Sequence, residues 1–336
     1  MKREVPVEEA VGLRLAHDMT RIVPGEFKGA AFRMGHVVTK EDIPLLLDMG
    51  KRHVYVLELG DDELHENEGA IRLAAAVAGK GLKGTQPEEG KVVLKSLHDG
   101  VVWVDEDKVL AINEIADIAL AVRQPWTHVR QGAAVAGVRP IPLVIERDKI
   151  ERAESIAAQP MAHPQGRQAT GVIDVIAYRP QQVALVSTGS EIATGRIADR
   201  FGPALREKFA LYKVGIGSQT FPGDDLPEIV GHIRQAIGNG ATLVCVTGGM
   251  SVDADDRSPA AISTVADTVV SYGVPVLPGS MTMVAYHKNV AILGLPGAVM
   301  HDERTTLDLL LPRILAGVRL TKRDLAKLGT GGWLNA

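Results

Sequence analysis

Four short segments in the second half of this 336-residue sequence gather glycines, hydroxyls and carboxylates at spacings that suit an anionic ligand. In Ser187-Thr188-Gly189-Ser190-Glu191 the glycine admits a ligand close to the backbone, and hydroxyl and N–H groups can cradle an anion. The plainer alternative is a turn that needs only Gly189. In Phe221-Pro222-Gly223-Asp224-Asp225-Leu226-Pro227 one aspartate suffices to cap a helix with proline in its first turn. The other is then available to a metal or a ligand amine. Thr247-Gly248-Gly249-Met250-Ser251 closes an apolar run, and Asp253, Asp255 and Asp256 follow before Ser258-Pro259, read as an N-cap and a first-turn proline. A glycine pair there lets a bulky ligand press on the backbone. Carboxylates nearby can hold Mg²⁺, which takes one or two carboxylates plus substrate phosphates. A calcium loop of the EF-hand type is excluded: its glycine and glutamate positions, counted from Asp253, hold Ser258 and Thr264. Gly294-Leu295-Pro296-Gly297 closes a fourth apolar run, and His301 lies in the first turn of the helix expected there.

Each of these segments follows a short apolar run and precedes a helical pattern, so a repeating strand–helix unit must position them. The expected strands are 183–188, 210–216, 242–248, 274–279 and 290–297. Between them lie GRIADRFGPALREKF, DLPEIVGHIRQAIGNG and SPAAISTVADTVVSYG at helical spacing, and a long helix is expected over about 300–316. Such alternation predicts a three-layer, doubly wound, mainly parallel α/β sheet, whose ligands bind beyond the carboxyl ends of the strands at the strand-order switch. This domain is placed at 173–336. Upstream, residues 1–82 read as an α+β region, with a helix over 40–50, a strand over 53–59 and a helix over about 67–79. Residues 83–150 read as a small mostly-β module, with a hairpin expected at His98-Asp99-Gly100. Residues 151–172, with Pro160, Pro164, Gly166 and Gly171, read as a linker.

Composition removes several function classes. Net charge is −4 and basic residues form no long run, so a nucleic-acid footprint is missing. The one cysteine, Cys245, excludes an internal disulfide framework or a cysteine zinc site and reads as a buried core residue. The start, MKREVPVEEAVG, lacks the apolar stretch of a signal peptide, and no run approaches the ~18 apolar residues of a membrane span. A soluble, cytoplasmic protein is therefore expected. No Walker P-loop, dinucleotide fingerprint or nucleophile elbow is present, and Gly215-Ile216-Gly217 is only a fragment of the second.

STGSEI, FPGDD, TGGMSVDADDRSP and GLPG, in this order over about residues 180–315, resemble the molybdenum-cofactor biosynthesis domain. That domain is shared by molybdopterin adenylyltransferases, molybdate-insertion enzymes and gephyrin. The resemblance implies that Asp224 and Asp256 are the catalytic and metal-holding carboxylates. It implies that Ser187, Thr188, Gly189 and Glu191 contact the cofactor, with Ser190 replacing an acidic residue often found there. It implies the same for Thr247, Gly248, Gly249, Met250 and Ser251, and for Pro296 and Gly297. Two positions depart from the pattern. Ala298-Val299 stands where the insertion enzymes carry Asn-Pro, and Met250-Ser251 stands where the adenylyltransferases carry Thr-Gly. Upstream, EEAVGLRLAHDMT and FRMGHVVTKEDIPLLLDMGKRHVYV resemble parts of the insertion enzymes, rearranged around the β module.

The resemblance leads to the expectation of a molybdopterin-binding protein of cofactor biosynthesis. Mg²⁺ held by Asp224 and Asp256 would bridge the phosphates of ATP or AMP and pterin in adenylyl transfer, or serve molybdate insertion with AMP release. The departures keep two alternatives open: a carrier or sensor without catalysis, and a related domain for another nucleotide-like ligand. Relatives imply a homo-oligomer, a dimer or trimer.

Overall fold

The computed structural model describes residues 2–23, 27–57, 59–166, 168–251, 256–332 and 334. Near the N-terminus, strands Lys2–Pro6, His53–Leu57 and Arg14–Leu15 form an antiparallel sheet with His53–Leu57 in the middle. Val54 and Val56 point inward and His53 and Tyr55 outward, the two-residue period of a half-buried strand. Helix Asp42–Asp48 drops Leu46 into the same core beside Val5, Val7 and Leu15.

The next body runs from Leu64 to Val175 and shares one apolar core. Its strands are ordered 118–122, 134–140, 92–96, 82–84 in one sheet and 128–129, 100–104, 173–177 in another. It is sheet-rich, and helices Glu66–Val77, Glu106–Asn113 and Arg147–Ala158 pack on it. Three upstream expectations are corrected here. The strands flanking His98-Asp99-Gly100 do not pair as a hairpin; Val92–Ser96 and Gly100–Val104 join different sheets. A Cβ on Gly100 would overlap the Ile176 carbonyl, so the chain turns there to lie tightly against another strand. The stretch expected to be a linker opens in a helix, Arg147–Ala158, that covers about its first third. Ile150, Ala153 and Ala157 recur at helical spacing and are buried, but two of them are alanines among charges, which hides the stripe from a compositional view. Third, residues 173–177 pair antiparallel with 100–104, so they belong to this body rather than to the parallel sheet.

The downstream sheet has six strands in the order 216–220, 183–187, 243–247, 290–295, 283–287, 268–272. The first four are parallel. Met283–His287 alone runs against them, and Thr268–Tyr272, antiparallel to it, points the same way as the four. Val183–Ser187 and Leu243–Thr247 are buried at every position, because helices cover both faces. Leu185, Leu243 and Leu293 face helices Phe201–Ala210 and Thr306–Leu315. Ala184, Val244 and Ile292 face helices Leu226–Gly238 and Ser258–Val265. This is the three-layer, mainly parallel architecture expected. Cys245 is buried, and desolvation pushes its thiol up to about 12.

Details of this sheet differ from expectation for local reasons. Residues 274–279 are not a strand: Pro275 and Pro278 lack the N–H a ladder needs. The strands are 268–272, taken from the end of an expected helix, and 283–287. The expected strand at 210–216 begins at Ile216 instead, and as an edge strand it is free to be polar. The expected long helix breaks in two, Ala298–His301 and Thr306–Leu315, the second started by a Thr305/Asp308 capping box.

Candidate functional site

Among the four parallel strands, chain order and sheet order disagree at one place. From Val183–Ser187 the chain goes outward to Ile216–Thr220, then returns past its start to Leu243–Thr247. The switch therefore falls between the carboxyl ends of 183–187 and 243–247, where open α/β sheets hold their ligands. Register sets the tips side by side. Ser187 lies opposite Thr247, Thr247 opposite Leu295, and Val186 opposite Thr220. All four sequence-selected segments thus emerge along one edge.

The tips are stitched by buried polar groups. Ser187, Thr188, Thr247 and Ser258 are all buried. Thr247 Oγ1 donates to Ser187 Oγ (3.3 Å), and Gln219 Nε2 donates to the same oxygen (3.1 Å). Gln219 also reaches Asp199 Oδ2 at 2.6 Å and accepts from Arg206 at 2.8 Å. Thr188 and Ser258 hydroxyls lie 3.2 Å apart, so Ser258 ties two loops instead of capping its own helix, whose start shows no side-chain cap. Paired buried hydroxyls of this kind fix geometry, since leaving one unpaired costs more than the bond returns.

The two adjacent aspartates divide their work. Asp225 caps helix Leu226–Gly238 by accepting from the Glu228 amide at 3.3 Å. Asp224 crosses to the neighbouring tip and accepts from the Ser190 amide at 2.9 Å, while the Gly189 amide donates to Pro222 O at 3.2 Å. Glu191 is exposed on the short helix Ser190–Ala193. Pro296 and Gly297 close the neighbouring tip, and Gly297 has ordinary helical φ. His301 is exposed.

The loop after Thr247 carries the densest set of features. Gly248 (φ +85°) lies so near the Thr188 carbonyl oxygen that a Cβ would overlap it. Gly249 (φ +52°) faces Asp256 Oδ1 and Ser258 Oγ, each 3.4 Å from where its Cβ would stand. Among the described residues, no carbonyl or side chain accepts from the amides of Gly248, Gly249, Met250 or Ser251. Successive unpaired amides in left-handed turn conformations form an anion-binding concavity. Asp256 Oδ2 is buried and finds no partner among the described residues. Met250 goes elsewhere: its side chain is 4% exposed, packed on Gly294 and Ile262, so only its backbone remains at the edge. Asp253 and Asp255 lie outside the described residues.

Sequence reasoning missed the Gln219–Asp199–Arg206 support and Tyr272. The latter's hydroxyl lies 3.1 Å from both Met250 O and Ser251 O. Burial, and then the Asp256 carboxylate, raise the Tyr272 pKa, so its hydroxyl keeps its proton. No local signal marks this residue, because its strand reads as the end of a helix. Among the described residues no cluster of three or more His, Cys, Asp or Glu side chains could hold a metal, and no helix is long and apolar enough to cross a membrane. Cavities of about 580 Å³ (between helices 66–77 and 147–158) and 290 Å³ (at the amino ends of the strands) include no tip residue. The tips are the better candidate, because glycines, amides without an acceptor among the described residues and a buried carboxylate oxygen converge there at the switch point.

Residues 184–316 match a family described as a probable molybdopterin binding domain, and residues 4–58 match a domain of unknown function (DUF8806). A CinA-like protein from Mycolicibacterium vanbaalenii is 33% identical over 82 residues, covering 24% of this chain and 19% of that protein. A molybdopterin molybdenumtransferase from Staphylococcus epidermidis is 26% identical over 169 residues, covering 46% of this chain and 40% of that protein. The chain thus spans less than half the length of these curated relatives. Among solved structures, the molybdopterin biosynthesis enzyme MoaB from Thermus thermophilus shares 22% identity at a TM-score of 0.37, covering 46% of this chain and 99% of that one. The MoeA protein from Pyrococcus horikosii shares 16% at 0.33, covering 98% and 77%. Likenesses of that degree carry no weight on function.

Proposed function

We propose, for a chain whose residues 184–316 carry the probable molybdopterin binding domain, that the strand tips bind molybdopterin and that the protein serves molybdenum cofactor biosynthesis. The carrying observation is the Gly248–Ser251 loop, whose amides find no acceptor among the described residues, beside the buried Asp256 oxygen at the switch point. In this proposal the amides receive the pterin's phosphate, since backbone N–H groups in such a concavity favour negative charge. Gly189 and Gly249 give the ligand access to the backbone, Gly248 lets its tip close on the Thr188 carbonyl, and the Ser187–Thr247 and Thr188–Ser258 hydroxyl pairs hold the tips still.

In this proposal Mg²⁺ would be held by Asp256 and Asp224. Asp256 presents a buried oxygen without a partner among the described residues, and Asp224 supplies a second carboxylate at a neighbouring tip. Two carboxylates leave the remaining positions to phosphate oxygens and water, the usual pattern for this ion. Bound there, the ion would neutralise phosphate charge. The chain's own residues would orient ATP or AMP against the pterin and stabilise developing charge through loop amides. Adenylyl transfer and molybdate insertion both need this positioning. A cytoplasmic homo-oligomer, dimer or trimer, completes the proposal; the exposed edge strand Ile216–Thr220 offers a pairing surface.

A second function, a carrier or sensor without turnover, is favoured by the loop's departures. Met250 is consumed by the core, and Ala298-Val299 starts the helix after Gly297. Calorimetry with molybdopterin, with and without ATP and Mg²⁺, tests both functions. Heat of binding that strengthens with nucleotide, with AMP or pyrophosphate released, supports the enzyme. Binding indifferent to nucleotide supports the carrier, and absence of pterin binding overturns both.

A further inference from the structure

We infer that Tyr272 is a positioning residue that sets the phosphate-binding form of the Gly248–Ser251 loop, acting from a strand three places away in the sheet. The inference rests on the function proposed above. Tyr272 ends Thr268–Tyr272, which runs in the same direction as the four parallel strands, so its side chain arises on the same edge as the other tips. The loop reaches across to it, and two successive carbonyls, Met250 O and Ser251 O, meet the one hydroxyl at 3.1 Å each. In a trans peptide the N–H lies antiparallel to the preceding C=O. A hydroxyl that gathers the Met250 carbonyl therefore turns the Ser251 N–H away from itself, off the carbonyl-lined side of the loop. At the same place Met250 is locked by burial on Gly294, where a Cβ would collide with its sulfur and methyl. The buried Met250 side chain and the Tyr272 hydroxyl thus pin the loop from two sides. Tyr272→Phe would keep the ring and lose only the donor.

The test is Tyr272→Phe in the full chain, with the melting temperature followed beside the affinities for molybdopterin and for inorganic phosphate by calorimetry. Tyr272 is 41% exposed, so the melting temperature should stay close to that of the parent. Both affinities should fall by about three- to tenfold, the loss of one hydrogen bond that sets the loop. A merely structural tyrosine would lower the melting temperature and leave the affinities in place. Unchanged affinities for molybdopterin and phosphate overturn the positioning role while leaving the pterin site standing. A parent chain that binds no molybdopterin overturns the pterin function itself, and with it this role.

Discussion

Gly248 shows how little room the site allows at the level of single residues. Its φ of +85° disfavours any side chain, and the Thr188 carbonyl occupies the space a Cβ would take. Gly248→Ala should destabilise the protein by about 1–3 kcal/mol in chemical denaturation and abolish pterin binding. A fully stable, binding-competent alanine variant would show that the close approach of the two tips is dispensable. Asp256 carries a different burden, a buried oxygen without a partner among the described residues. Asp256→Asn should leave the melting temperature nearly unchanged but remove the Mg²⁺ dependence of nucleotide binding, read by calorimetry at varied Mg²⁺; together with Asp224→Asn it should abolish turnover. Retention of full Mg²⁺-dependent turnover by the double variant would remove both carboxylates from the mechanism. The glycine pair was legible in the sequence because it breaks an apolar run, and the acids because they stand in groups just before helix starts. Tyr272 was not, because its partners are backbone carbonyls some twenty positions away, and no pattern of residue types records a carbonyl.

Single elements separate two neighbours that look alike in sequence. Asp225 caps helix Leu226–Gly238, so Asp225→Ala should cost about 0.5–2 kcal/mol in denaturant titrations. Asp224→Ala should spare that helix and loosen the Ser190 tip, weakening ligand binding with a smaller effect on stability. Equal stability losses from both would mean that the division between cap and tip is not real. Buried strands were readable from their runs, as at Val183–Ser187 and Leu243–Thr247, because burial on both faces demands unbroken apolar sequence. The edge strand Ile216–Thr220 escaped because exposure relaxes that demand. Helix Arg147–Ala158 escaped because its buried stripe is built mostly of alanine, which adds little hydrophobicity to a charged segment.

In the whole molecule, the α+β body and the parallel sheet are joined. Val101, Trp103 and Ile176 share an apolar cluster with Ala316 and Val318, and Arg313 lies 4.5 Å over the Trp126 ring. His128 Nδ1 is 2.9 Å from Tyr178 OH in the same joint, and Lys213 pairs with Asp99 at 2.6 Å. Desolvation lowers the His128 pKa, and likewise that of buried His65, below the ordinary 6.5. The unfolded chain therefore takes up protons at a higher pH than the folded one. Stability is fully present above 6.5 and is lost as pH falls below it toward the depressed folded values. The melting temperature should decline between about pH 7 and pH 5, and the decline should flatten in a His65→Asn, His128→Gln double variant. An identical slope in that variant would assign the pH response to other groups. Residue order alone was enough for the layered α/β class, the parallel core strands, the glycine turns and the carboxylates, because each follows from local period or residue type. Folding in three dimensions was needed to put the strand-order switch between 183–187 and 243–247, to carry Asp224 across to the neighbouring tip, to draw Met250 into the core and to bring Tyr272 onto the loop. Those are contacts between segments far apart in the chain, and they follow from register and packing, which no local pattern encodes.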